Sequence, residues 1–198
     1  PFPIPHDATE PVGFAFSCQG LRCAVATDLG HICDGWMNAI TGCQALVLEA
    51  NHDVEMVNRG PYPSHLKRRI LGRKGHLNNE DCAKVLVPLI RAGTKAVFLS
   101  HLSQDNNLPE LAYNTVCGAL YEAGYDVGED IRVTVSRRDK VSDMLVLESE
   151  EHARKRGAVI HGEIKGFAVN ITTTMLTPEF RDRLVNLIKK NKGNVPLS

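Results

Sequence analysis

Two strand-like runs open the chain, Val12 to Ser17 (VGFAFS) and Arg22 to Thr27 (RCAVAT), joined by Cys18-Gln19-Gly20. Apolar and small residues broken by a short glycine-containing turn predict a β-hairpin. Ile32 to Ile40 predicts a helix that ends near Gly42. Ala45 to Leu48 (ALVL) and Ala96 to Leu99 (AVFL) are short, uninterrupted apolar runs, as expected of strands buried on both faces. Pro61-Tyr62-Pro63 breaks the chain, and a short basic helix is predicted over Ser64 to Leu71. Asn78 followed by Asp81 predicts a capped helix running to about Arg91. Asn107 with Glu110 repeats that arrangement and predicts a helix to about Ala123. Ile131 to Val135 predicts a further strand. Strands and helices alternate through residue 135, which argues for a layered α/β domain.

Composition changes this picture little. Apolar residues make up 43% and charged residues 23%, ordinary values for a chain with a buried core. The formal net charge is zero, so any nucleic-acid binding must rest on a local patch. Six cysteines, at 18, 23, 33, 43, 82 and 117, form no C-x-x-C pair. Their scatter through apolar stretches predicts reduced, mostly buried thiols and a cytoplasmic protein. No apolar run is long enough to cross a bilayer, so no membrane partner is expected. The opening Pro1-Phe2-Pro3-Ile4-Pro5 runs straight into His6-Asp7, and the expectation is that this chain is a fragment.

The chemistry gathers at strand ends. Arg22 to Thr27 is followed by Asp28. ALVL ends in Glu49, with Asn51-His52-Asp53 just beyond. AVFL-Ser100 ends in His101. In an α/β sheet the carboxyl ends of the strands form one rim, where ligands bind. Asp28, His52 and His101 are thus expected to converge although they lie far apart in sequence. Imidazole and carboxylate together suit zinc or manganese. Each residue also has a plainer reading. His6 and His101 could be hydrogen-bonded turn residues, Asp28 could cap the following helix, and His76 could be a loop residue before a capped helix. His31, His65, His152 and His161 have no supporting context.

Taken in order, the motifs are more specific than any one of them. They are His6-Asp7-Ala8-Thr9-Glu10-Pro11-Val12-Gly13-Phe14, Thr27-Asp28-Leu29-Gly30, Leu48-Glu49-Ala50-Asn51-His52-Asp53, Gly60-Pro61-Tyr62-Pro63, Leu66-Lys67-Arg68-Arg69-Ile70, Gly75-His76-Leu77-Asn78-Asn79 and Ser100-His101-Leu102-Ser103. This order resembles the YycJ/WalJ branch of the metallo-β-lactamase-fold hydrolases and, more distantly, ribonuclease Z. The resemblance spans about residues 1–140. It implies half of an αβ/βα sandwich and a reaction on phosphodiesters, of DNA exonuclease type, assisted by two divalent ions. It implies that His6 holds one ion, His101 the other, and that Asp28 bridges both. His76 is implied as proton donor to the leaving oxygen. Glu49 and His52 are implied to orient His76 or a metal ligand.

The family's first motif, His-x-His-x-Asp-His, has no counterpart in this sequence. That motif supplies most ligands of one ion, so a complete two-ion reaction is not expected of this chain alone. The rival readings are a non-catalytic remnant that keeps the sheet and binds nucleic acid, and a hydrolase of another ester. Lys67, Arg68, Arg69, Arg73 and Lys74 form the one dense basic segment. It reads either as a phosphate contact beside the rim, with DNA as substrate, or as a solvated face. Half a sandwich also leaves one sheet face bare, and self-association through it is expected.

Beyond about residue 141 the resemblance ends, and residues 141–198 read as a separate α/β tail. Residues 144–170 resemble a short piece of a β-ketoacyl-acyl-carrier-protein synthase without its catalytic set. Residues 171–198 are faintly similar to bacterial DNA polymerase III alpha subunits. Phe180, Leu184, Leu187 and Ile188 predict an amphipathic helix there.

Overall fold

A computed structural model describes residues 1–18 and 20–138, together with positions 154 and 157. The readings made for residues 141–198 otherwise lie outside the described residues.

The elements run β1 (Phe2–Pro3), β2 (Val12–Cys18), β3 (Leu21–Ala26), α1 (Asp34–Ile40), β4 (Ala45–Glu49), α2 (Val54–Arg59), α3 (Ser64–Ile70), α4 (Asn79–Arg91), β5 (Ala96–Ser100), α5 (Pro109–Glu122) and β6 (Arg132–Val135). The strands form a single mixed sheet in chain order, β1-β2-β3-β4-β5-β6. β1, β2 and β3 are antiparallel neighbours. β3 through β6 are parallel. This mixed α/β architecture is consistent with a partial metallo-β-lactamase-like fold.

Register sets the site. Ala26 pairs with Leu48, Leu48 with Leu99, and Glu49 with Ser100. The carboxyl ends of β3, β4 and β5 therefore finish level, and Asp28, Glu49 and His101 leave the sheet side by side.

One sheet face is the core. Ala24, Ala26, Leu46, Leu48, Val97, Leu99 and Val133 join one buried cluster with Trp36, Ile40, Leu86, Leu89, Val116 and Leu120 from the helices. The side chains of β2 and β3 alternate, so the other face carries Val12, Phe14, Phe16, Leu21 and Val25, all between 36% and 42% exposed. Phe14 and Phe16 stack there, with ring centroids 6.3 Å apart.

Several boundaries differ from the sequence reading. The helix expected from Ile32 starts at Asp34, where Cys33 is the N-cap but makes no side-chain bond. Asn107 does not cap α5; Leu108 holds that place, without a side-chain bond. The Asn107 amide instead donates to the Ala50 carbonyl at 2.9 Å and exchanges hydrogen bonds with Asn79. The helix α2 was not expected; Asp53 caps it, accepting from the Met56 amide at 2.7 Å. Of the cysteines, 43 and 82 are buried, 33 and 117 half-buried, and Cys23 is exposed. All five are free thiols.

Among the described residues, no helix is long and apolar enough to cross a membrane.

Candidate metal centre

Asp28, Glu49, His76 and His101 each place one ligand atom within 4.8 Å of the others. The Asp28 carboxylate is the meeting point. Its Oδ1 lies 3.7 Å from His6 Nε2, 3.5 Å from His76 Nδ1 and 3.6 Å from His101 Nδ1. Donor atoms around a tetrahedral ion with bonds of ~2.0–2.1 Å stand about 3.4 Å apart. These distances are near that spacing, and the ligand types, imidazole and carboxylate, suit a borderline divalent ion. Asp28, Glu49, His76 and His101 therefore form a donor set that fits one such ion, with His6 beside it through Asp28. It is the single cluster of this kind among the described residues.

Glu49 organises the set. Its side chain is fully buried. Oε2 accepts from the backbone amides of Leu29 and Leu77 at 2.6 and 3.0 Å. Oε1 accepts from His76 Nδ1 and His101 Nδ1 at 2.9 and 2.7 Å. One carboxylate thus fixes the residues that follow Asp28 and His76 and holds two imidazole rings directly. A carboxylate only accepts, so both Nδ1 atoms carry a proton in the ion-free cluster. An ion entering the cluster displaces those protons, and binding competes with protonation. Burial alone would raise the Glu49 pKa. Hydrogen bonds from His101 and His76 outweigh it and hold the carboxyl at about 2. The same hydrogen bond raises the His101 pKa above its ordinary value.

The backbone is bent to make this convergence. Asp28 and His101 both adopt left-handed conformations, with φ of 60° and 59°. They are the only such non-glycine residues described. Residues held in this region cluster at functional sites.

His6 arrives from the β1–β2 connection. Its Nδ1 donates to the Gly75 carbonyl at 3.0 Å, which leaves Nε2 facing Asp28 and, at 3.4 Å, Asp7. The segment around Gly75 packs tightly against this connection. A Cβ on Gly30 would strike the backbone carbonyls of Arg73 and Pro5, and one on Gly75 those of Ile70 and Arg69. We expect Gly30→Ala to cost about 1–3 kcal/mol, because the obstructing atoms are backbone. Urea unfolding would show this as a lower midpoint at unchanged slope; an unchanged midpoint would contradict it.

His52 lies near Glu49 and His76 but makes no hydrogen bond to the cluster. It is 1% exposed, and neither ring nitrogen has a hydrogen-bond partner among the described residues. Burial depresses its pKa to about 4 and keeps it neutral. No hydrogen bond joins it to His76 or to Glu49, so the contact expected of an orienting residue is missing.

The basic segment is only partly free. Arg69 forms a two-pronged pair with Asp7, at 2.6 and 3.0 Å. Lys67 donates to the Asn58 carbonyl at 2.7 Å. Arg73 donates to His31 Nε2 at 3.1 Å. Arg68 and Lys74 are exposed and unpaired among the described residues.

Sequence reasoning missed Asn51, whose side chain donates to the His101 carbonyl at 2.7 Å. It also missed Asp7 as the partner of Arg69. Both bonds join distant positions, and no local spacing announces them.

Fold and cluster together define an α/β protein with a candidate metal centre on the carboxyl rim of its parallel strands. The chain is 44% identical over 132 residues to a protein of Bacillus anthracis named exodeoxyribonuclease YycJ, covering 67% of this chain and 50% of that protein. It is 37% identical over 132 residues to exodeoxyribonuclease WalJ of Streptococcus pneumoniae serotype 2, covering 67% and 49%. The chain spans about half the length of these relatives. No family model matches it. These similarities support a nuclease-type hydrolase. They lend no support to the synthase-like and polymerase-like readings of the tail.

Proposed function

We propose that this chain carries the rim-forming half of a metal-dependent phosphodiesterase acting on DNA. The observation that carries the reading is the convergence of three imidazole nitrogens on Asp28 Oδ1 at 3.5–3.7 Å. Asp28, His6 and His101 would hold zinc or manganese, with His76 at the same centre. Such an ion, when bound, supplies a water of lowered pKa and stabilises charge on the phosphoryl oxygens. His76 is oriented by Glu49 through Nδ1. As the doubly protonated imidazolium it would pass its Nε2 proton to the leaving oxygen and keep its Nδ1 proton on Glu49. In the two-ion chemistry that the family resemblance implies, a second ion would need donors beyond this cluster. The similarity to proteins named exodeoxyribonucleases favours DNA over other esters. The test is metal content by elemental analysis, followed by hydrolysis of DNA with zinc or manganese added. The expected result is about one tightly held ion per chain. A chain that takes up neither ion at any concentration would leave only a non-catalytic role.

Phosphate contact falls to Arg68 and Lys74, which are exposed and unpaired. Arg68→Ala should weaken DNA binding evenly across sequences and lower the salt slope by about one. Arg69→Ala should change it less, because Asp7 already neutralises that charge. Equal effects of the two variants on the salt slope would contradict the assignment.

The bare sheet face supports a second proposal, self-association. Val12, Phe14, Phe16 and Val25 form a contiguous apolar surface of the kind that marks an interaction site. Light scattering is expected to find a dimer or larger species for the wild type and a shift towards monomer for Phe14→Ser. A monodisperse wild-type monomer would sink the idea.

A further inference from the structure

We infer that Asn51 is a positioning residue of the metal centre: it locks His101 in its left-handed backbone conformation and so aims the imidazole at Asp28. The inference rests on the metal-centre reading above.

His101 adopts φ of 59°, a conformation that costs an L-residue with a Cβ about 1–2 kcal/mol. Something must hold it there. The Asn51 side-chain amide donates to the His101 carbonyl at 2.7 Å. Two residues further on, the Ser103 amide donates to the Asn51 carbonyl, also at 2.7 Å. Asn51 therefore grips the chain on both sides of the turn that His101 makes. It is itself fixed: its amide donates to the Leu77 carbonyl at 2.8 Å, and its side chain is 7% exposed.

The same clamp reaches a second site residue. Leu77 follows His76, so Asn51 connects the backbones beside both imidazoles that Glu49 orients. Glu49 and Asn51 are two positions apart at the end of β4. One controls the rings and the other controls the chain that carries them. With the Asn51 amide gone, the His101 carbonyl loses its donor and the turn is free to relax towards ordinary φ. Relaxation swings the ring from Glu49 and Asp28.

The experiment compares wild type, Asn51→Ala and Asn51→Asp, with Thr94→Val as a control. Asp keeps the shape of Asn, replaces the amide donor by a carboxylate oxygen and adds a negative charge, which by itself would favour a cation, so a loss of affinity in this variant speaks for the lost donor. This variant stands in should the alanine variant not fold. Thr94 is fully buried and bonds the Cys43 carbonyl at 2.8 Å, at the opposite end of the sheet. Its valine variant reports the cost of losing a buried hydrogen bond away from the centre.

Two readouts are taken. Cobalt(II) titration gives affinity, and its visible spectrum reports the ligands. Nitrogen-15 spectra of the ion-free protein give the tautomer of His101. The Asn51 variants should lose about 10- to 100-fold in cobalt affinity, the usual effect of removing a group that orients a ligand. Their spectrum should show one imidazole fewer, and the His101 ring should no longer be pinned as the Nδ1–H form. Thr94→Val should match wild type in both. Wild-type cobalt affinity and a pinned tautomer in folded Asn51 variants would overturn the inference. If the wild type itself takes no cobalt, the metal reading fails, and the tautomer alone decides the role of Asn51.

Discussion

Asp28→Asn should abolish metal uptake while leaving the fold in place. The Asp28 carboxylate is the one group within 3.7 Å of all three converging imidazoles. Asparagine keeps its shape and tolerates the left-handed backbone at φ 60°, but it has no charge to hold a cation. Elemental analysis should find no ion above background in this variant. Any DNA hydrolysis by the wild type should fall about 1,000-fold, equivalent to about 4 kcal/mol of lost transition-state stabilisation. Asp28→Ala should lose the ion equally and also melt lower, because alanine is strained at this φ. If Asp28→Asn took up metal as well as the wild type, the assignment of Asp28 as a ligand would be wrong.

The second large effect falls on Glu49. Its removal leaves two backbone amides and two imidazole N–H groups without their acceptor in the interior. Breaking a buried charged pair from one side costs about 3–5 kcal/mol, and that is the loss expected of Glu49→Ala in urea unfolding. A loss under 1 kcal/mol would refute the hub. The pH dependence follows from the direction of each shift in the ion-free protein. Glu49 has a folded pKa of about 2, below its ordinary 4.5. Its contribution is complete above about pH 4.5 and is lost as the pH falls from there towards 2. His101 has a folded pKa above its ordinary 6.5. Its contribution is complete below 6.5 and is lost as the pH rises through the raised value. The Glu49–His101 link is therefore strongest between about pH 4.5 and 6.5. Glu49→Gln should flatten both limbs of the stability profile.

Much of this was legible because strands and their exits are local. The runs 45–48 and 96–99 are short, apolar and uninterrupted, and each forms a strand extended by a single polar residue, Glu49 or Ser100. The rule that ligands gather at the carboxyl ends then points to Asp28, His52 and His101 without any tertiary knowledge, whereas Glu49 took its place only through the family resemblance. The Asn78 cap was equally local, and Asn78 accepts from the Asp81 amide at 2.7 Å. The same signature misled at Asn107. There, buried partners on Ala50 and Asn79 outcompete the helix end. Arg69 read as a free cation because its partner, Asp7, is 62 positions away. His52 read as an orienting residue because it follows a strand, yet its buried ring makes no hydrogen bond to Glu49 or His76 and meets them only through charge.

Strand order that follows chain order also governs how the protein is built. Each strand from β2 to β6 pairs with the one before it in the chain, but the parallel pairs join segments far apart in sequence, and such non-local pairing is slow to form. Glu49 emerges with β4, but both its imidazole partners come later, His76 just before α4 and His101 only when β5 docks. Until β5 docks, the Glu49 carboxylate has His76 alone to answer it. The arrival of β5 relieves that charge and completes the ligand set in one stroke. The ligand set is therefore complete only once the sheet has been built as far as β5.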